Sequence, residues 1–261
     1  MSTSLWVSKT GLAAQDAKIQ SIANNLANVN TTGFKRDRIA FTDLFYQVQR
    51  QPGAQVDELN DLPSGVQMGT GVKISGSQKV FTTGALITTD QQLDMAIEGQ
   101  GFFQVEQGNG EMSYTRDGQF FRNADGMMVT SGGQPLVPQV AIPEDALTVT
   151  IGEDGTVTAE IAGQVGAEQL GQINTVNFIN PAGLEALGGN LFAETDASGV
   201  PTEGTPGDGG LGKLRQGALE SSNVSVVEEM VEMISTQRAY EMNAKVMSAA
   251  DEMMQFLNQT V

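Results

Sequence analysis

Apolar residues recur every seven positions at both ends of this chain and about every two positions through its middle. Near the N-terminus, Leu5, Leu12, Ile19 and Leu26 form one row, and Ser8, Gln15, Ile22 and Val29 lie beside it. A seven-residue repeat marks a helix with one narrow apolar stripe, of the kind that packs in coiled coils. The first half of the stripe is weak, because Ser8 and Gln15 are polar. Gly33 is the expected stop, with Asn28 and Asn30 in a fraying last turn. Near the C-terminus, Val226, Met233, Tyr240, Met247 and Met254 repeat by seven without a break, with Met230, Gln237 and Ala244 alongside. No Gly or Pro interrupts the chain from Ala218 onward. Asn223, or alternatively Ser225, suits the N-cap. Glu228, Glu229 and Glu232 suit the positive end of the helix dipole.

Between these ends the texture changes. From about Val66 to Leu219, short apolar or β-branched runs are punctuated by Asp117-Gly118, Asp125-Gly126, Gly132-Gly133 and Asp154-Gly155. Such dipeptides between alternating runs predict hairpins. The stretch from Ala146 to Ile161, alternating on both sides of Asp154-Gly155, is the cleanest case. The fold class is therefore mixed α and β. Long N- and C-terminal helices form a coiled-coil-like core, and the centre is an antiparallel β-rich domain. The expected organisation is an inner helical pair from 1–33 and 221–261, an extended connecting segment over 34–65, and a β-rich domain over 66–220. A lone helix with one wet face is marginal in water, so packing among many copies would stabilise both ends.

One local feature stands out. Asn24, Asn25, Asn28 and Asn30 fall within seven residues near the end of the first helix. Asn is a middling helix former, because its side chain competes for backbone hydrogen bonds. Either the helix ends there, or the amides meet partners outside an isolated chain.

Composition narrows the functional classes. The net charge of −17 disfavours a nucleic-acid partner and an anionic membrane surface, since both want clustered Lys and Arg. With no Cys and no His, thiolate metal sites, Cys nucleophiles and a Ser-His-Asp triad are excluded. The N-terminal residues lack a basic region followed by an apolar core, so no cleaved signal is expected. No run reaches the length of a membrane span, and no direct membrane insertion is expected.

The candidate chemistry is thin. Asp94 and Glu98 are a possible carboxylate pair, but alternation with Leu93, Met95 and Ile97 assigns both to the wet face of one strand. Glu153-Asp154-Gly155 and the stretch from Asn123 to Gly126 lack the alternating ligands of a calcium loop, and turn chemistry explains them. Gly99 and Gly101 lack the third glycine of a dinucleotide fingerprint, and a bulge or tight strand crossing fits better. Lys35, Arg36 and Arg38 form the one dense basic cluster, either solvated or paired with an acidic patch on a neighbouring copy. The methionines at 230, 233, 242, 247, 253 and 254 adapt to irregular neighbours.

Three stretches carry a family resemblance. Residues 23–36, reading ANNLANVNTTGFKR, resemble the N-terminal signature of bacterial flagellar axial proteins, the rod, hook and hook-associated group. Residues 217–230 (GALESSNVSVVEEM) and 237–243 (QRAYEMN) look like its C-terminal counterpart. Residues 93–103 (LDMAIEGQGFF) match a segment shared by rod and hook members. Arg50, Gln51, Pro52 and Gly53, followed by Leu62 and Pro63, look like the insertion typical of the distal rod type.

The resemblance implies a structural subunit with no enzymatic activity and no cofactor. Copies would assemble helically into a rigid hollow shaft that transmits torque to the hook and conducts exported subunits. Implied partners are further copies of itself, proximal rod proteins, the hook protein, the surrounding P- and L-ring proteins and the flagellar type III export apparatus. The implied address is the basal body, spanning the periplasm without a cleaved signal peptide. The assembly interface would draw on Leu5, Leu12, Ile19, Ile22, Asn24, Asn25, Leu26, Asn28, Val29, Asn30, Val226, Met230, Met233, Tyr240, Met247 and Met254. The alternatives are a proximal rod or hook-type member, and a secreted β-rich carbohydrate-active protein.

Overall fold

The computed structural model describes residues 3–51, 55–57, 60–61, 65–163 and 166–259. Two helices bracket a β-rich centre: α1 spans Thr3–Ala27 and α2 spans Val226–Gln259. The chain divides into two compact units. One holds residues 1–26, 37–78 and 225–261, and the other holds 27–36 and 79–224.

In the helical unit, α1 is a 25-residue helix and α2 a 34-residue one. Gly11 lies inside α1, where glycine is normally costly. A Cβ there would sit 3.2 Å from Nδ2 of Asn243, so the glycine permits close approach to α2. Glu228 and Glu229 occupy the first turn of α2. The Glu229 N–H donates to the Ser225 carbonyl at 3.0 Å, the first α-type bond of that helix. Ser225 therefore stands at the helix entrance. Asn223 does not cap it, because its side chain is engaged inside the β unit, as described below. The same helical unit carries two ribbons. Asp37–Asp43 pairs with Val72–Lys79, and Tyr46–Arg50 pairs antiparallel with Val66–Gly69.

The β unit is built on a seven-stranded sheet. Its order is Glu185–Gly188, Leu191–Ala193, Met112–Thr115, Phe102–Glu106, Thr175–Asn177 and Thr202–Gly204, with Leu136–Val137 also pairing Phe102–Glu106. The pairings are antiparallel throughout. A separate three-stranded sheet joins Ala146–Ile151, Thr156–Ile161 and Ala167–Gln172. Three of the four turn dipeptides do join paired neighbours, at Asp125-Gly126, Gly132-Gly133 and Asp154-Gly155. Asp117-Gly118 does not. Its glycine passes so close to Met95 that a Cβ would fall 1.5 Å from the Met95 carbonyl oxygen. The dipeptide marks a crossing of two backbones, not a hairpin.

Two apolar cores lie on opposite faces of the central strand. Phe103 and Val105 join Met95, Ile97, Leu136, Val157 and Ile173 in one. Phe102 joins Tyr114, Val176, Phe178 and Phe192 in the other. Phe102 meets Phe178 and Phe192 edge-on, the preferred arrangement of aromatic quadrupoles. Burial on both faces overturns the alternation expected around Met95. Asp94 is buried rather than wet, and its carboxylate accepts the Thr89 hydroxyl at 2.6 Å. Glu98 alone of the pair stays exposed.

At the edge of these cores sits a buried charge cluster. Glu220 ends the strand Ala218–Glu220. Its Oε1 accepts from Lys35 Nζ at 2.6 Å and from the Gly84 N–H at 2.8 Å, and its Oε2 accepts from Arg116 Nη1 at 3.2 Å. The Lys35 and Glu220 side chains have no exposed area and Arg116 keeps 3%. Lys35 also donates to the Thr82 carbonyl, and Arg116 to the carbonyls of Ile97 and Gly99. Burial pulls the lysine below its ordinary range, and Glu220 opposes that pull. Lys35 is thus neither solvated nor directed to a neighbour, whereas Arg36 is half-buried and Arg38 exposed. Gly33 makes the approach possible. It adopts φ +67°, and a Cβ there would lie 2.6 Å from the Arg116 carbonyl carbon.

Removing one partner of a buried ion pair typically costs about 3–5 kcal/mol, because it strands the other charge. Glu220→Ala strands two cations, so denaturant unfolding of the β unit is expected to show a loss of about that size or more. Lys35→Met leaves Arg116 and Glu220 matched one to one, and its loss is expected to be the smaller. The reverse ranking would show that the carboxylate is not the centre of the cluster. Asp117 offers a pH test. Burial raises its carboxyl above 3.8, against hydrogen bonds from the Gln119 N–H and the Thr32 hydroxyl. An acid whose folded value is raised favours the fold below its unfolded value, and that contribution is lost as pH rises through the folded one. Asp117→Asn keeps an acceptor oxygen and is expected to leave stability at neutral pH unchanged or raised. It should also flatten the stability–pH curve just above 3.8, measured by thermal unfolding across that range.

Candidate functional site

The helical unit holds most of the residues assigned to assembly. On α2 the least exposed positions are Glu229, Met233, Thr236, Ala239, Asn243, Ala244, Met247 and Ala250. Most fall three or four residues from another member, which keeps one stripe in line along a helix. On α1, Ser8, Ala14, Ile22 and Asn25 are buried, and Gly11, Gln15 and Lys18 are half-buried. Contacts among the described residues join the helices. Asn25 Nδ2 donates to Glu229 Oε2 at 3.3 Å, Lys18 pairs with Glu232 at 3.5 Å, and Gly11 faces Asn243. As the number falls along α1 it rises along α2, so the two helices run antiparallel.

Asn25 explains part of the asparagine cluster. Its Oδ1 accepts the Asp37 N–H at 2.8 Å, and its Nδ2 donates to the Asp37 carbonyl at 3.0 Å as well as to Glu229. A side-chain amide thereby copies the two-point pairing of a β-ladder on one residue of a neighbouring strand. Asn25 is only 2% exposed. Both of its N–H donors and one lone pair of its Oδ1 are engaged within its own chain. Asn24 is exposed and donates to Asp37 Oδ2 at 3.0 Å. α1 ends at Ala27, before Asn28 and Asn30. Asn28 is half-buried in the following turn, where its Oδ1 accepts the Thr31 hydroxyl, and Asn30 is exposed.

The other expected positions scatter. Ile22 is buried, while Leu5, Leu12, Ile19, Leu26 and Val29 are half-buried. Met233 and Met247 are half-buried, and Val226, Met230, Tyr240 and Met254 are exposed. Arg50 and Gln51 are exposed, and Pro52, Gly53, Leu62 and Pro63 lie outside the described residues. A row missed from the sequence is Glu229, Thr236, Asn243 and Ala250. It too repeats by seven, but its polar and small members hide it from a search for apolar periodicity. Thr236 satisfies its hydroxyl on the Glu232 carbonyl at 2.7 Å.

A second face of α2 is apolar and exposed. Val227, Val231, Ile234, Met242, Val246 and Phe256 are each at least half exposed, with Val227 at 72%. These positions lie roughly opposite Glu229, Met233 and Met247 on a helix of 3.6 residues per turn. Among the described residues, no group of three or more His, Cys, Asp or Glu is placed to hold a metal ion. No described helix is long and apolar enough to cross a membrane.

Comparison with known proteins bears on all three segments. Residues 5–35 match the flagella basal body rod protein family. Residues 96–159 match the flagellar hook protein FlgE/F/G D1 domain, and residues 215–260 match the flagellar basal body rod FlgEFG protein C-terminal family. The flagellar basal-body rod protein FlgG of Buchnera aphidicola subsp. Schizaphis graminum is 49% identical over 99% of this chain and 100% of its own. That of Agrobacterium fabrum is 47% identical over 95% of each chain. Among solved structures, the Helicobacter pylori flagellar hook protein FlgE2 is 14% identical over 71% of this chain and 43% of its own, with a TM-score of 0.25. By full-length identity to such relatives, and by family segments at both ends and in the middle, the chain belongs to the flagellar basal-body rod protein family.

Proposed function

We propose that this chain is the structural subunit of the flagellar distal rod, stacking helically with copies of itself into a hollow shaft that carries torque to the hook. The observation that carries this reading is the outer face of α2. Val227, Val231, Ile234, Met242 and Val246 are each at least half exposed along one stripe. Each such side chain gains roughly 1.5–3 kcal/mol when fully buried, so the stripe favours lateral packing against like helices. In this reading α1 and α2 pair as a short coiled coil that forms the inner wall, and the β unit faces outward. The distal assignment draws on the FlgG relatives and on the segment from Tyr46 to Pro63, whose described apolar residues Tyr46 and Val48 are exposed. Proximal rod proteins below, the hook protein above, ring proteins around the shaft and the type III export apparatus are the partners this role requires. The acidic surface, at net charge −17, suits basic ring surfaces.

Electron microscopy of concentrated purified chain tests the reading. Straight tubular polymers are expected, and a chain that stays monomeric at high concentration would exclude it. Loss of the coding region is expected to leave basal bodies with a short rod and no hook. Asn25→Ala removes the acceptor of the Asp37 N–H, and a buried group that loses its partner costs about 1–3 kcal/mol. The variant is expected to keep a folded β unit by circular dichroism yet need a higher concentration to polymerise. Removal of residues 46–63 is expected to give polymers that form but bend, with persistence length measured from the same micrographs. Equally straight filaments would separate that segment from stiffness.

A further inference from the structure

The chain passes between the β unit and the helical unit at 26/27, 36/37, 78/79 and 224/225. Three of these crossings meet at one side chain. Asn223 Oδ1 accepts the Arg36 N–H at 2.8 Å. Its Nδ2 donates to the Val80 carbonyl at 2.7 Å and to the Thr82 hydroxyl at 2.9 Å. The Val80 N–H closes the triangle on the Arg36 carbonyl at 2.9 Å. Arg36 is the last residue before one crossing, Val80 the second after another, and Asn223 the second before the third. All three lie within the β unit.

We infer that Asn223 is a positioning residue for assembly: within the β unit it holds side by side the chain segments at Arg36, Val80 and Asn223, from which three connections leave. The chemistry suits the task. A planar amide carries an acceptor and two donors on one rigid group, so it reads a backbone N–H and a backbone carbonyl at once. A carboxylate of the same shape would keep the acceptor but turn the donor arm into repulsion against the Val80 and Thr82 oxygens. The residue adds little apolar area, so its contribution is to geometry. Residues 37–78 leave and return through this point, and holding their two ends together removes loop-closure entropy before copies meet. This inference rests on the rod-subunit reading for its assembly readout, though not for its local one.

The test compares full-length chain with Asn223→Asp and with Val157→Ala, a buried truncation in the strand Thr156–Ile161 that does not touch the tie. Hydrogen exchange on the monomer reads the tie itself. In Asn223→Asp the Arg36 and Val80 amides are expected to lose protection while those of the seven-stranded sheet keep theirs. Thermal unfolding reads the stability of the β unit, and pelleting with electron microscopy reads the concentration needed to polymerise. Asn223→Asp is expected to raise that concentration about tenfold, the equivalent of one weakened contact per subunit. Val157→Ala is expected to lower the unfolding midpoint at least as much and to polymerise like the unchanged chain. The inference falls if Asn223→Asp polymerises normally, if the two variants lose assembly in proportion to their midpoints, or if Asn223→Asp no longer folds. Failure of the unchanged chain to polymerise would count against the rod reading alone, and the exchange pattern would still decide the tie.

Discussion

One carboxylate holds together parts of the chain that are far apart in sequence. Glu220 accepts hydrogen bonds from Lys35 and Arg116, which precede it by 185 and 104 residues, and from the backbone of Gly84. None of the three charged side chains keeps appreciable contact with water. Desolvating ions is costly, and attraction within the cluster offsets that cost best when geometry is good and the remaining donors are satisfied. Here spare donors of Lys35 and of the Arg116 Nη atoms reach the carbonyls of Thr82, Ile97 and Gly99, while the buried Arg116 Nε makes no hydrogen bond. A mispositioned segment around Gly33 would leave two cations buried without a partner. The cluster therefore acts less as glue than as a discriminator between the native seating of residues 32–36 and any other.

The two asparagine ties extend the same logic with neutral groups. Asn25 within the helical unit and Asn223 within the β unit each pair with backbone atoms of the consecutive residues Asp37 and Arg36. An amide does this without the desolvation penalty of a charge. It also tolerates no substitute of equal shape, since Asp loses the donors and Leu loses everything. Asn25 of the asparagine-rich N-terminal stretch and Asn223 of the C-terminal one thus have a local meaning inside one molecule, before any neighbour arrives.

How much of this is legible in the sequence depends on the range of the interaction. The terminal helices follow from the seven-residue rows, and the hairpin from Ala146 to Ile161 follows from alternation about Asp154-Gly155. The antiparallel character of the centre follows from its turn chemistry. Two-sided burial does not follow, because the apolar and polar positions around Asp94 mimic a half-wet strand. Lys35 reads as solvated or paired with a neighbouring copy, and nothing local marks Glu220 as its partner. The two lie 185 residues apart, and no local window contains both. Within the helical stripe, Met233 and Met247 are legible, whereas Glu229 and Thr236 are not, being polar residues in an apolar register.

The unequal helix lengths have a directional consequence. Asn25 beside Glu229 sets the C-terminal end of α1 almost flush with the start of α2. α2 has 34 residues against 25 in α1, so at 1.5 Å per residue it runs on for about 13 Å past Thr3. Met253 and Phe256 lie on that stretch, at 63% and 67% exposure. A pair that is level at one end and stepped at the other cannot be turned end over end without changing its outline. Any column of such pairs has a head and a tail, and polarity is written into the subunit before the first two copies touch.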